Sequence, residues 1–165
     1  MSPSEALYRE LRKLGLDFFV AVPCKLLADI IGILVKDSQI IYTPVTREEE
    51  GVGILAGGYL TGRRPALIMQ NSGIGNSINA ICSLLNYYRL PIVFIISHRG
   101  GAGEPIAAQK PMGEATKELL RAANVAFYEV NSMDELAYVE EGVRKFLSCQ
   151  KSVAFLFPFS FWRHP

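Results

Sequence analysis

Six short and almost wholly apolar runs recur along this chain of 165 residues, separated by stretches with the apolar spacing of helices. Strands that are apolar on both faces are typical of a parallel sheet covered by helices on both sides. Strands alternating with helices form βαβ units with right-handed crossovers. The predicted strands are residues 18–22, 39–43, 66–70, 92–97, 126–130 and 153–157.

The intervening stretches predict the helices. Leu7, Leu11 and Leu14 recur at helical spacing after a capping sequence at residues 2–5. Further helices are predicted at about residues 25–36, 47–60 and 76–88, through residue 119, and at 133–146. We therefore expect one α/β domain over residues 1–165, a doubly wound, mostly parallel sheet with helices on both faces. In such sheets ligands bind beyond the carboxyl ends of the strands.

Charge and hydropathy exclude two classes of function. The formal net charge is +1, from 17 basic and 16 acidic residues, and no basic stripe offers a surface for nucleic acid. The amino terminus lacks the charged and apolar regions of a secretion signal, and the longest apolar runs have only the length of strands. We expect a cytoplasmic protein that binds neither nucleic acid nor membrane.

Polar and glycine-rich motifs follow three of the predicted strands: Thr-Arg-Glu-Glu-Glu-Gly at 46–51, Asn-Ser-Gly-Ile-Gly-Asn at 71–76 and Ser-His-Arg-Gly-Gly at 97–101. All three should meet at one edge of the sheet. Carboxylates are favoured at a helix start, which explains one or two of the glutamates. The four glycines of residues 51–58 cost helix stability, so they indicate a backbone packed closely against another surface.

The segment 71–76 has two readings from its residues alone. Its glycines can adopt positive φ, and free amides at a helix start suit an anion. A tight turn from strand to helix would have the same composition. The residues leave both interpretations open.

Three runs, TREEEGVGI, GGYL followed by TG, and MQNSGIGNSINA, resemble the pyrimidine-binding domain of thiamine-diphosphate enzymes such as acetolactate synthase and benzoylformate decarboxylase. Within that family the similarity is greatest to the decarboxylases of sulfopyruvate and phosphonopyruvate. Family members have a glutamate nine residues before a Gly-Tyr pair, so the pair at residues 58–59 indicates Glu49. The histidine that usually precedes this glutamate is replaced by Glu48, and a shift of one residue would indicate Glu50.

The resemblance implies three sets of site residues and no metal ligand in this chain. Glu49 is the implied catalytic residue, which holds a proton at the pyrimidine ring of thiamine diphosphate. The implied cofactor-binding residues are Glu49, Pro23, Asn71, Ser72, Gly73 and Gly75. The implied substrate-binding residues are His98, Arg99, Gln109 and Lys110.

The resemblance also implies a partner. The family's diphosphate-binding domain, which holds Mg²⁺, has no counterpart in this sequence. We therefore expect a beta chain to carry that domain and the Mg²⁺, and the enzyme to be a hetero-oligomer that is active only when assembled. The implied reaction converts 3-sulfopyruvate to sulfoacetaldehyde and CO₂, as in coenzyme M biosynthesis, with phosphonopyruvate as the alternative substrate.

A different class of protein also fits the glycine-rich turns, namely a non-catalytic α/β module that binds a nucleotide or regulates another protein. The first strand argues against it. A dinucleotide-binding module has a Gly-x-Gly-x-x-Gly turn there, whereas residues 21–24 read Ala-Val-Pro-Cys.

Overall fold

The computed structural model describes residues 1–162, so the last three residues of the predicted domain lie outside the described part. In residues 1–162 the six strands form one sheet in the order β2-β1-β3-β4-β6-β5. Every pairing is parallel, so the predicted doubly wound sheet is confirmed. The strands are β1 (Phe18–Ala21), β2 (Ile41–Pro44), β3 (Pro65–Gln70), β4 (Val93–His98), β5 (Ala126–Glu129) and β6 (Val153–Pro158).

Helices cover both faces of the sheet. They are α1 (Pro3–Lys13), α2 (Ala28–Lys36), α3 (Glu48–Leu60), α4 (Ser72–Ala80), α5 (Lys110–Ala122), α6 (Ala137–Ser148) and the short α7 (Phe159–Trp162). A wider, π-helical segment, Ile81–Asn86, continues α4. Apolar side chains of α1, α2 and α6 form the core on one face, and those of α3, α4 and α5 form the core on the other.

The capping sequence begins α1 as predicted. The Ser2 hydroxyl accepts a hydrogen bond from the Glu5 amide at 3.2 Å, and the Glu5 carboxylate accepts one from the Ser2 nitrogen at 2.8 Å. These bonds satisfy backbone donors that a helix start leaves free. Within residues 1–162 no helix is both long and apolar enough to span a membrane.

The two edge strands depart from the prediction of strands buried on both faces. The four residues of β2 and the four of β5 are partly exposed, because each edge strand has only one neighbour. The inner strands β1, β3, β4 and β6 are buried along almost their whole length.

Helix α4 begins at Ser72, four residues before the predicted start near Asn76. Gly73 and Gly75 are therefore helical, and the positive-φ glycines of the described residues all lie elsewhere. The positive-φ interpretation of this segment is wrong. At Gly73 the reason for glycine is close approach, since an added Cβ would lie 2.4 Å from Cγ of Glu48.

The four glycines of α3 divide into two pairs. Gly51 and Gly58 face the sheet: an added Cβ would lie 2.9 Å from Leu67 at the first and 2.3 Å from the Phe18 ring at the second. Gly53 and Gly57 face away from the sheet, and an added Cβ there would meet no atom within 4 Å. Close packing within this chain therefore explains Gly51 and Gly58. It does not explain Gly53 and Gly57.

We expect Gly58→Ala to lower the free energy of unfolding by about 1–3 kcal/mol, because the new methyl group must displace the buried ring of Phe18. The matched control is Gly57→Ala, one residue earlier in the same helix. It should raise the free energy of unfolding by up to about 1 kcal/mol through helix propensity. Urea unfolding of both variants checks the pair, and equal stabilities would contradict the packing of α3 on β1.

Candidate active site

A pocket of about 350 Å³ opens at the carboxyl edge of the sheet. It receives residues from the ends of β1 and β3, which are adjacent and lie where the strand order reverses direction. Ligand sites of doubly wound sheets lie at such a switch point. We call it the rim pocket, and the residues used below are Pro23, Lys25, Glu48, Gln70, Ser72 and Arg99.

Glu48 is buried at the start of α3, with 7% of its surface exposed. Its carboxylate accepts a hydrogen bond from the Asn76 side-chain amide at 3.0 Å, and its side chain packs on Gly73. These contacts tie the first turn of α3 to the first turn of α4. Glu48 is not among the predicted site residues, but its side chain contributes to the lining of the rim pocket.

Glu49 is only partly buried, and its two carboxylate oxygens have different surroundings. Oε1 accepts a hydrogen bond from Nε of Arg47 at 2.7 Å. Oε2 is buried and has no hydrogen-bond partner among the described residues. An acceptor in this state is costly unless another molecule supplies a donor. Glu49 therefore has one buried acceptor atom without a hydrogen-bond partner at the start of α3.

Glu50 is exposed and serves the helix start. Its carboxylate accepts hydrogen bonds from the Thr46 hydroxyl at 3.1 Å and from the Arg47 amide at 3.3 Å. This is the capping role that the helix-start interpretation predicted for one or two of the glutamates. The three consecutive glutamates thus differ in burial and in partners.

Asn71 is fully buried, and its side chain joins three elements. Its oxygen accepts the Arg99 amide at 3.0 Å, and its nitrogen donates to the Arg99 carbonyl at 3.2 Å and to the Thr116 hydroxyl at 2.9 Å. The side chain thereby connects the ends of β3 and β4 to α5. The role of Asn71 in cofactor binding stays a prediction. Because its side chain is already used in these hydrogen bonds, its backbone would have to contact the cofactor.

Arg99 forms a buried ion pair with Glu104. Its Nε and Nη2 each donate to a different carboxylate oxygen at 2.6 Å, and the amides of Gly100 and Ile106 add bonds at 3.2 and 3.1 Å. The hydrogen bonds from Arg99 lower the pKa of Glu104 to about 2. The guanidinium also lies 5.4 Å from the ring centroid of Phe159.

Gln70 links other predicted residues to the pocket. Its side-chain nitrogen donates to the Ser72 hydroxyl at 3.0 Å and to the Gln109 side-chain oxygen at 3.1 Å. Ser72 and Gln109 are thus brought together at the rim. A Cys24 thiol contact of 3.7 Å to the Gln70 oxygen completes this polar group.

The remaining predicted residues lie further from this group. One ring nitrogen of His98 lies 3.1 Å from the Gly113 carbonyl. Lys110 is exposed at the start of α5. Gly75 is exposed on α4, and an added Cβ there would meet no atom within 4 Å. Their roles in binding cofactor or substrate stay predictions.

Three charged residues of this region are not among the predicted site residues: Lys25, Glu48 and Glu104. Lys25 follows directly on the Pro-Cys pair after β1, so its place at a strand end was a usable signal. Glu104 lies in the glycine-rich loop, where nothing in the sequence indicates its pairing with Arg99. That pairing depends on the fold of the loop.

A second, wider groove of about 730 Å³ lies at the other end of the molecule. It opens where β3 and β4 begin, and its lining includes Arg63, Arg64 and Arg144. None of the predicted site residues contributes to that lining. The predicted site residues lie at the opposite end, around the rim pocket.

The donor set fits thiamine diphosphate better than a metal ion. Among residues 1–162 no three His, Cys, Asp or Glu side chains lie close enough together to hold a metal. The free Oε2 of Glu49 suits a protonated ring nitrogen. The rim of this chain thus offers a partner for a pyrimidine ring.

We expect Glu104→Gln to lower the free energy of unfolding at pH 7 by about 2–3 kcal/mol, because charge-assisted hydrogen bonds from Arg99 are lost. The folded pKa of about 2 lies below the ordinary value of 4.5. The stabilisation should therefore be complete above about pH 4.5 and decline as the pH falls toward 2.

Denaturant unfolding at pH 7 and pH 3 measures this difference. Glu114→Gln is the control, because Glu114 is exposed on α5. A Glu104→Gln effect that is equally large at both pH values would contradict the ionised pair.

Several known proteins are similar in sequence to this chain over nearly its full length. Residues 1–123 match the family described as "Thiamine pyrophosphate enzyme, N-terminal TPP binding domain". The sulfopyruvate decarboxylase subunit alpha of Methanococcus maripaludis is 45% identical over 99% of both chains. The protein of the same name from Methanothermobacter thermautotrophicus is 42% identical over 96% of this chain and 97% of its own.

A longer relative shows the same region within a larger chain. The sulfopyruvate decarboxylase of Methanosarcina acetivorans is 31% identical over 85% of this chain, but the match spans only 36% of that protein. The family match, the near-complete coverage of the shorter relatives and the parallel fold agree with one another. The chain belongs to the family of sulfopyruvate decarboxylase alpha subunits, which carry the N-terminal TPP-binding domain of thiamine pyrophosphate enzymes.

Proposed function

We propose that this chain, together with a beta chain, decarboxylates 3-sulfopyruvate to sulfoacetaldehyde and CO₂. The single observation that carries the proposal is the free Oε2 of Glu49, at the position where the family has its catalytic glutamate. Bound thiamine diphosphate supplies a nucleophilic carbon and an acceptor for the electrons left when CO₂ departs. The chain's own residues then have to place and protonate the ring.

In this proposal Glu49 holds a proton against N1′ of the pyrimidine ring. A carboxyl group can both carry that proton and accept it back, which an amide cannot do. Arg47 fixes the other oxygen through its 2.7 Å hydrogen bond, so the free oxygen has a defined position. Glu48 holds the start of α3 in place through Asn76.

The partner chain would bind to an exposed surface of this chain, which we call the open face. It consists of Gly53 and Gly57 on α3 and of Gly75, Asn79 and Cys82 on α4 and its continuation, all of them exposed. Exposed apolar side chains flank it, with Leu60 and Tyr87 more than 70% exposed. Exposed apolar groups of this size are typical of protein interfaces.

We propose that the beta chain seats its diphosphate-binding domain against the open face and holds the Mg²⁺ of the cofactor. The short relatives are named as alpha subunits, and the longer relative has almost two thirds of its length beyond the match. Both facts support a division of one enzyme between two chains. Glycines without Cβ let a second backbone approach closely.

Substrate contacts would come from the polar groups of the rim. The proposed set includes Arg99, Gln109, His98 and Lys110, as the family resemblance implies. Arg99 is fixed on two sides, by Asn71 at its backbone and by Glu104 at its side chain, so its remaining N–H groups are positioned before substrate arrives. Positioned donors stabilise developing charge better than mobile ones.

We expect Glu49→Gln in the assembled enzyme to lower turnover by at least about 100-fold, the scale for losing a general acid–base. The fold should be retained, because the substitution keeps the side chain's shape. Steady-state decarboxylation with the partner chain, thiamine diphosphate and Mg²⁺ measures the effect.

Glu50→Gln is the matched control and should keep most of the activity, since Glu50 caps the helix. An inactive Glu50→Gln beside an active Glu49→Gln would move the catalytic role by one residue. Activity in both variants would remove the acid–base role from this helix start.

A second expectation concerns assembly. The isolated chain should bind thiamine diphosphate weakly, because the proposed diphosphate site lies on the beta chain, and adding the beta chain should raise thermal stability. Gly57→Leu should weaken association with the beta chain by at least about 10-fold by placing bulk on the open face.

Gly32→Leu is the control, on α2 across the sheet, where an added Cβ also meets no atom within 4 Å. Calorimetry and analytical ultracentrifugation measure cofactor binding and association. Tight, Mg²⁺-dependent binding of the cofactor by the isolated chain would contradict the divided site.

A further inference from the structure

The rim pocket contains three formally charged side chains, and their balance decides which substrates it can accept. They are Lys25, Glu48 and Arg99. Each has a different electrostatic state in the structure.

The positive charge of Arg99 is already compensated. Both oxygens of Glu104 accept from its guanidinium at 2.6 Å, and the Glu104 side chain is completely buried. A buried, bidentate pair of this kind is expensive to separate. Arg99 can therefore offer its other N–H groups to a ligand, but the Arg99–Glu104 unit adds no net charge.

The negative charge of Glu48 is not compensated by a cation. Its hydrogen bond comes from the neutral amide of Asn76, and no Lys, Arg or His of the described chain pairs with it. A carboxylate in the lining repels an anionic substrate. The pocket therefore needs a free cation if it is to take a substrate with two negative charges.

Lys25 is that free cation. It begins the short turn Lys25–Leu27 after β1, it is exposed, and it forms no ion pair with any residue of the described range. Its ammonium group is a mobile point charge with three donors. Lys110 is also unpaired in the described range, but it does not contribute to the pocket lining.

We propose that Lys25 is a specificity-determining residue that binds the second anionic group of the substrate, a sulfonate in 3-sulfopyruvate. The inference rests on the proposed function and names a substrate contact within it. Without Lys25 the charges of Arg99, Glu104 and Glu48 leave the region with an excess negative charge. With Lys25 the sulfonate gains a cation, while Arg99 orients it through hydrogen bonds.

The test uses the assembled enzyme with thiamine diphosphate and Mg²⁺. Lys25→Ala should lower kcat/KM for sulfopyruvate by about 10- to 100-fold, the range expected for one charge-assisted hydrogen bond. The effect on pyruvate, which lacks the sulfonate, should be less than about 3-fold. Lys25→Arg should restore most of the loss, because it keeps the charge.

Lys36→Ala is the matched control. Lys36 is exposed at the far end of α2 and is unpaired in residues 1–162. It should leave the selectivity ratio of sulfopyruvate to pyruvate unchanged. A change in this control as large as that in Lys25→Ala would mean a general charge effect and would overturn the assignment.

A binding measurement separates this inference from the proposed function. Isothermal titration calorimetry of the assembled enzyme uses 3-sulfopropionate, which has the carboxylate and the sulfonate but no 2-oxo group, and propionate as the monoanion. Lys25→Ala should weaken 3-sulfopropionate binding by about 10- to 100-fold and leave propionate binding unchanged. Unchanged 3-sulfopropionate binding in Lys25→Ala, or no binding by the wild type, overturns the role of Lys25.

Failure of the proposed function has a different signature, namely a wild-type complex that decarboxylates no 2-oxo acid. Loss of selectivity in Arg99→Ala with none in Lys25→Ala would assign the sulfonate to Arg99 instead and would also overturn the inference. Phosphonopyruvate serves as a further substrate, and an equal loss on it in Lys25→Ala supports recognition of charge.

Discussion

The arrangement of the rim depends on the hydrogen bonds of the Asn71 side chain. It is fully buried and uses its oxygen and both amide hydrogens to hold Arg99 and Thr116. Leaving any of these groups without a partner in a buried place would cost free energy. The backbones of β3 and β4 already pair up to Gln70 and Ser97, and the Asn71 side chain extends this connection to α5 and fixes the backbone of Arg99.

A second set of contacts fixes the other side of the rim pocket. Glu48 packs on Gly73 and accepts from Asn76, which joins the starts of α3 and α4. Glu49 follows directly and is presented with one oxygen free. The candidate site therefore combines Glu49, the predicted cofactor contact, with the predicted substrate contacts of the rim, and among residues 1–162 no three His, Cys, Asp or Glu side chains lie close enough together to hold a metal ion.

The fold was predictable because its signal is repeated and local. Each inner strand is apolar on both faces, so alternation with helices sufficed to predict the doubly wound sheet. Boundaries that depend on tertiary contact were not predictable. The early start of α4 at Ser72 requires Gly73 to pass against Glu48, and no pattern within residues 71–76 carries that information.

The location of the candidate site was predictable from the sequence, and the contacts among its side chains were predictable only in part. Motifs after the strands predicted a site at the rim, where the structure has a pocket, and the family resemblance indicated Glu49, whose catalytic role stays a prediction. The pairing of Arg99 with Glu104 depends on how the glycine-rich loop after β4 folds, and the absence of an ion pair at Lys25 depends on which charged side chains the fold places near the turn after β1. The charge balance of a pocket depends on which charged side chains lie near one another in the folded chain. A single sequence does not specify this.

The most direct measurement is a structure of the chain assembled with its beta partner, thiamine diphosphate and Mg²⁺. The central claim is that Glu49 of this chain meets a cofactor whose diphosphate is held by the other chain. It requires a Glu49 carboxylate oxygen at about 2.6–3.2 Å from N1′ of the pyrimidine ring, with the open face against the beta chain. A ring nitrogen bonded to Glu48 or Glu50, or a cofactor held entirely within one chain, would contradict it.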